Sequence, residues 1–329
     1  MMMHVLLRGA VLAAGAMLAG APAVAQAEFP SRPISLVVPY APGGTTDILA
    51  RLVAKPMGEF LGQPVVVENT SGAGGTIGTQ RVVKAAPDGY TLTFGNMGSL
   101  AANAPLYPSA GFDPVRDLAP VGLVATVPMV LAVSNGSGVQ TLQSLIDAMK
   151  NKPGAFNFGS GGPGTTNHLA AAMFLHLSGT KAEIIQYRGA GPAITDLMAG
   201  QVQGVIDQTL TMVPLHSDKR ARALAVSGPA RIDSAKDVPT FAEAGLPSFD
   251  LTVWNAIAAP RGTPGPVIEK LAQALSRALD TPEVADRLAQ FSATAPAGAQ
   301  RGPQALGELI ENDARRLAKL IQAAGIQTN

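Results

Sequence analysis

The chain has 329 residues, 24 of them basic and 23 acidic, and 47% hydrophobic. A balance this close to neutral leaves no basic stripe for nucleic acid and no polybasic patch for a lipid surface. There is no cysteine, which excludes thiol catalysis, cysteine-held metals and disulfide staples, so stability has to come from a sizeable core.

Residues 1–8 carry one positive charge, at Arg8, residues 9–21 form a small apolar block, and Ala25-Gln26-Ala27 follows as a small-residue cleavage site. This pattern predicts a secretory signal peptide over residues 1–27 and a mature chain that starts at Glu28 in the periplasm. The apolar block is too short to span a bilayer, and no later run of about 20 apolar residues exists. Without Arg8, 23 basic residues stand against 23 acidic ones. About 300 remaining residues exceed one typical core, so two lobes are expected.

From residue 34 the pattern alternates strand and helix, with strands expected over 34–40, 64–68 and 90–95 and helices over 46–61 and 76–86, which is α/β architecture. The first strand runs into Tyr40-Ala41-Pro42-Gly43-Gly44-Thr45-Thr46-Asp47. Pro42 stops the ladder, Gly43 and Gly44 let the backbone approach a ligand, and Thr45, Thr46 and Asp47 are cap-type residues at a helix start. Such a terminus attracts a carboxylate or phosphate. The plainer alternative is an ordinary turn capped by Thr46 or Asp47, with Arg51 pairing to Asp47. Glycines at 72, 74, 75 and 78 miss the dinucleotide spacing. Asn96 to Ser99 follow the third strand and belong beside the first turn if the sheet is parallel, or form a plain polar turn.

The apolar passage over 120–133, broken by Pro128, predicts a crossing between lobes. A second series then follows: a helix over 141–150, strands over 156–159, 184–187, 202–207 and 221–226, and helices over 165–177 and 192–199. Its turn Gly159-Ser160-Gly161-Gly162-Pro163-Gly164-Thr165-Thr166 resembles a phosphate loop, but Thr165 stands where that loop needs lysine. What remains is a second carboxylate-sized helix terminus with hydroxyls at Ser160, Thr165 and Thr166. His168 and His176, about 12 Å apart on one helix, cannot share a metal ion, and no metal site or cofactor is implied. His168 reads as a packing residue or one that supports a site from behind, rather than a catalyst, and no carboxylate partner for His216 is evident from the sequence. No serine sits in a nucleophile elbow. Arg188 and Gly189 form a third turn, where Arg188 either pairs with a ligand carboxylate or is simply solvated. Asp207 ends an apolar strand, either as a cap for a helix starting near Thr211 or as an acceptor for a ligand amine, hydroxyl or bridging water. The return crossing over 251–258 contains Trp254, a core residue or a wall of the cleft. Helices from 264, 282 and 306 complete the first lobe.

These landmarks in order, from Pro39-Tyr40-Ala41-Pro42-Gly43-Gly44 through Val67-Glu68-Asn69, Pro87-Asp88-Gly89-Tyr90, Tyr187-Arg188-Gly189 and Val238-Pro239-Thr240 to Trp254, resemble the Bug-type extracytoplasmic solute receptors of tripartite tricarboxylate transporters. Thr70-Ser71 and Ala172 depart from that pattern. The resemblance implies a two-lobed periplasmic binding protein, each lobe a mixed, mostly parallel sheet flanked by helices. Lobe 1 is expected over residues 28–125 and 252–329 and lobe 2 over 126–251. It implies a receptor rather than an enzyme, a monomer that binds a small organic acid or amino acid between Tyr40, Pro42, Gly43, Gly44, Thr45, Asp47 and Asn96 on one side and Ser160, Gly161, Gly164, Thr165, Thr166, Arg188, Gly189 and Asp207 on the other. Its partners are membrane transporter subunits, with a periplasmic sensor subunit as the alternative use.

Overall fold

The computed structural model describes residues 28–323 together with Gly325 and Ile326, so the leader expected over residues 1–27 lies outside the described residues. The run Ile34–Val38 forms β1, with Ile34, Leu36, Val37 and Val38 fully buried. Helix α1 (Thr45–Leu61) follows and ends on Gly62, whose φ of 71° is the left-handed conformation that glycine adopts without a steric cost. Strand β2 (Val65–Asn69), helix α2 (Thr76–Val83) and strand β3 (Thr91–Asn96) complete the first series, with β2 and β3 parallel to β1 on either side. Short helices α3 (Asn103–Leu106) and α4 (Pro114–Asp117) lead into β4 (Leu118–Val133). The second series comprises α5 (Leu142–Asn151), β5 (Asn157–Ser160), α6 (Thr166–Ser178), β6 (Glu183–Gln186), α7 (Ala190–Ala199), β7 (Gly204–Gln208), α8 (Thr209–Ser217) and β8 (Arg222–Val226). Strand β9 (Thr252–Pro260) and helices α9 (Gly265–Leu279), α10 (Pro282–Gln290) and α11 (Pro303–Ala323) close the chain.

The 16 residues of β4 join two half-sheets. Up to Pro128 they pair antiparallel with β9, and from Met129 onward they lie between β7 and β8. Proline has no N–H to donate, so the change of partner falls where the ladder is weakest. The strand order is β2-β1-β3-β9-β4-β7-β5-β6, with β8 paired to β4. In the first half only β9 runs against its neighbours, and in the second only β4 does.

One apolar core, with Leu49, Val53 and Met57 of α1 against Leu271 and Leu275 of α9, belongs to the first half, and another around Val205, Leu197 and Met212 belongs to the second. A third runs through both, because α11 sets Leu306, Ile310, Leu317 and Ile321 in the same cluster as Met129, Leu131 and Phe158. The carboxyl ends of β1 and β3 in one half and of β5, β6 and β7 in the other meet between the halves, which is where open α/β sheets leave room for a ligand. No described helix is long and apolar enough to cross a membrane.

Candidate ligand-binding cleft

Four helices begin at that meeting point. Helix α1 starts after Gly44, α6 after Thr165, α7 after Gly189 and α8 after Gln208, and residues from all four starts line one cleft of about 580 Å³, partly open to solvent. The first backbone N–H groups of a helix have no partner within the helix. At α1, α7 and α8 no side chain caps them either. The first residues of α1, α6 and α7 line the hollow, so unspent donors and positive dipole ends from these three starts face it.

The side chains around the cleft are mostly committed to one another. Tyr40 Oη donates to Asn96 Oδ1 at 2.7 Å, Asn96 Nδ2 to Thr46 Oγ1 at 3.2 Å, Thr46 Oγ1 to Asn255 Oδ1 at 3.3 Å, and Asn255 Nδ2 to Gln208 Oε1 at 3.3 Å. This chain of bonds crosses from one half to the other. Burial pushes the Tyr40 phenol up to about 12 against the hydrogen bonds it makes, so it stays neutral. Thr165 Oγ1 donates to Gly162 O at 2.7 Å and accepts from His168 N at 3.4 Å. Its hydroxyl is thus held inside its own loop, and what that turn offers a ligand is the backbone of Thr166 and Asn167. Thr45 is the exception: its Oγ1 is buried with no hydrogen-bond partner. A buried hydroxyl left unpaired costs about 1–3 kcal/mol, and the cleft it lines is where a partner can arrive.

Among the described residues, lysine, arginine and histidine are absent from the lining, and its one charged side chain is Asp207. Burial pushes the Asp207 carboxyl above its ordinary value, although the Gln208 N–H, the Thr211 hydroxyl and Asn167 pull it the other way.

Of the residues expected from sequence, Tyr40, Pro42, Gly44, Thr45, Asn96, Gly161, Thr165, Thr166, Gly189 and Asp207 line the cleft. Six others stand behind it or beside it. Gly43 takes a φ of 83° and donates its N–H to Asp47 Oδ2 at 2.9 Å. Asp47, 4% exposed, also accepts from Arg51 and Asn69 and so fastens the glycine turn from beneath. Burial alone would raise its carboxyl, but those bonds and the Arg51 charge outweigh it and hold it low. Ser160 is fully buried, donating to Gln186 Oε1 at 2.5 Å. Gly164 lies under the Tyr107 ring, where an added Cβ would come within 2.8 Å of it. Arg188 is exposed and faces a larger neighbouring hollow of about 900 Å³. Trp254 is 2% exposed and donates to Asp313 Oδ2 of α11 at 2.6 Å, so it faces away from the cleft.

The cleft also takes in residues that the sequence did not single out as ligand contacts: Ala41, Thr46, Asn167, Ala190, Gly191, Pro192 and Gln208. Asn167 gave a weak signal, a polar side chain in the first turn of an otherwise apolar helix, and its Nδ2 ties α6 to Ile206 O at 3.0 Å. His168, 6% exposed, supports the second turn from behind: its Nδ1 accepts from Gly164 N at 3.1 Å. His216 does have an acidic partner, Asp237 at 2.9 Å, which folding brings from 21 residues away.

The family model of the tripartite tricarboxylate transporter family receptor matches residues 49–326. The chain belongs to that family. The receptor is 38% identical over 267 residues to BugT of Bordetella pertussis, covering 81% of this chain and 82% of that one. Its structure is similar to MatC of Rhodopseudomonas palustris, solved with bound malate, with a TM-score of 0.86, 35% identity and coverage of 89% and 100%. A second protein of that bacterium, solved with adipate, gives a TM-score of 0.86, 34% identity and coverage of 91% and 99%. Family and fold are those of periplasmic solute-binding receptors, not of enzymes.

Proposed function

We propose that the receptor captures a small carboxylate-bearing metabolite in the periplasm and delivers it to the membrane subunits of a tripartite tricarboxylate-type transporter. The ligand carboxylate sits against the backbone N–H groups at the starts of α1, α6 and α7, with no cation opposite it. The observation that carries this reading is the buried, unpaired Thr45 hydroxyl in a cleft lined by the uncapped starts of α1 and α7. The malate and adipate held by the two similar receptors support a carboxylate as the ligand class.

Residues 28–125 with 252 onward act as one lobe and 126–251 as the other, a division supported by the change of strand partner at Pro128 and Met129. The lobes close on the ligand because the helix starts that hold it belong to both, so that the ligand binds the closed state better than the open one. The exported chain begins at Glu28 and works as a monomer.

Native mass spectrometry of receptor isolated from the periplasm tests this directly. The expected spectrum is a monomer whose chain starts at Glu28 and which carries one small organic acid. A chain that retains Met1, or one that binds none of a panel of mono-, di- and tricarboxylates in calorimetry, would overturn it.

A further inference from the structure

The charge inside the cleft has the wrong sign for a site that simply neutralises an acid. Asp207 is 3% exposed and lines the cleft, where neither lysine nor arginine accompanies it. Its Oδ1 accepts from Gln208 N at 2.8 Å, and Thr211 Oγ1 lies 2.8 Å from its Oδ2 while standing equally close to Gln208 O. Asn167 also hydrogen-bonds this carboxyl; a carboxylate has about four acceptor positions across its two oxygens, so with these three partners acceptor capacity remains for the cleft. A ligand offering only carboxylate oxygens would set acceptor against acceptor, and two negative groups out of water repel strongly. A ligand with an N–H or O–H beside its carboxylate removes the conflict, because its carboxylate takes the helix starts while its donor takes Asp207. The unpaired Thr45 hydroxyl on the opposite wall accepts or donates as the ligand requires.

We infer that the ligand is a carboxylic acid bearing an ammonium or hydroxyl group on its carbon chain, and that Asp207 is the residue that selects for this group. The inference rests on the cleft being a carboxylate site.

The test is calorimetry on receptor stripped of retained ligand, with matched acids that differ only in the donor: succinate, malate and aspartate, then glutarate, hydroxyglutarate and glutamate, then adipate and aminoadipate. At whichever chain length binds, a donor-bearing acid is expected to bind about tenfold or more tightly than the plain diacid, as befits a hydrogen bond to a charged group. In Asp207→Asn this preference should fall below about threefold, while the plain diacid binds as well or better. The series on the unaltered receptor decides the matter even if the variant fails to fold. Equal or tighter binding of the plain diacid by the unaltered receptor overturns the role of Asp207 and leaves the carboxylate site standing. Binding of no acid at any chain length overturns the carboxylate site itself, and this inference with it.

Discussion

Thr45 and Thr165 look equivalent in the sequence, each a threonine next to a glycine-bearing turn at a helix start, yet folding gives them different work. Thr165 spends its hydroxyl on Gly162 and caps α6, whereas Thr45 leaves its own unpaired. Thr45→Val should therefore leave the ligand-free receptor as stable or more stable, since it removes a buried group whose unmet bond costs about 1–3 kcal/mol. The same change should weaken ligand binding about threefold to tenfold, for one lost hydrogen bond. Thermal melting and calorimetry on the one variant check both, and a loss of stability with full affinity would place the ligand elsewhere. Asp207 gives a second residue-level test through pH. Its folded-state carboxyl is raised above the ordinary 3.8, chiefly by burial, so its ionised form costs stability once the pH exceeds the unfolded value. Asp207→Asn, free of ligand, should melt above the unaltered receptor at pH 7, and the gap should close as the pH falls below 3.8. A gap that widens in acid would contradict the burial argument.

At the scale of elements, the starts of α1 and α6 were legible in the sequence because glycines and hydroxyl residues stand directly before apolar residues at helical spacing. The starts of α7 and α8 were read about two residues late. Pro192 marked a helix start from sequence, but α7 begins at Ala190, and a proline in the first turn gives up an N–H that had no partner anyway. No turn residue separates β7 from α8, since Gln208 ends one and Thr209 begins the other, so no local punctuation marks the boundary. Trp254 illustrates a different limit. Side chains alternate along a strand, and Asn255 points to Thr46 and Gln208 at the cleft, which turns Trp254 toward Asp313. Composition sets no such phase. The N-terminus of α1 is the element to perturb: Gly44 has an ordinary φ of −80°, and an added Cβ there meets only Ala41 O at 4.0 Å. Gly44→Val should thus fold, with a cap penalty of up to about 1 kcal/mol, while its side chain occupies the cleft and weakens binding by about 1–3 kcal/mol. Unchanged affinity in the folded variant would remove α1 from the site.

Across the whole molecule, the two halves also meet through contacts that lie outside the cleft lining. Tyr107 Oη donates to Pro163 O at 2.6 Å, and a Cβ on Gly74 would clash with the same carbonyl, so the second-half loop seats closely on the first half. Tyr107→Phe should favour the open form and weaken binding by about 0.5–1.5 kcal/mol, seen chiefly as faster release in stopped-flow kinetics. An unchanged release rate would mean that this contact does not hold the halves together. The two-lobed plan was readable from the repeated strand and helix series and from the long passage around Pro128. Contacts such as Tyr107 with Pro163, 56 residues apart, have no local signature. The central claim is that helix starts, without any fixed cation, hold the ligand carboxylate between the halves. A crystal structure of the receptor with its retained ligand tests it most directly. The expected result is carboxylate oxygens about 2.7–3.2 Å from backbone nitrogens at the starts of α1, α6 and α7. A carboxylate paired instead with Arg188, or seated outside the cleft, would contradict it.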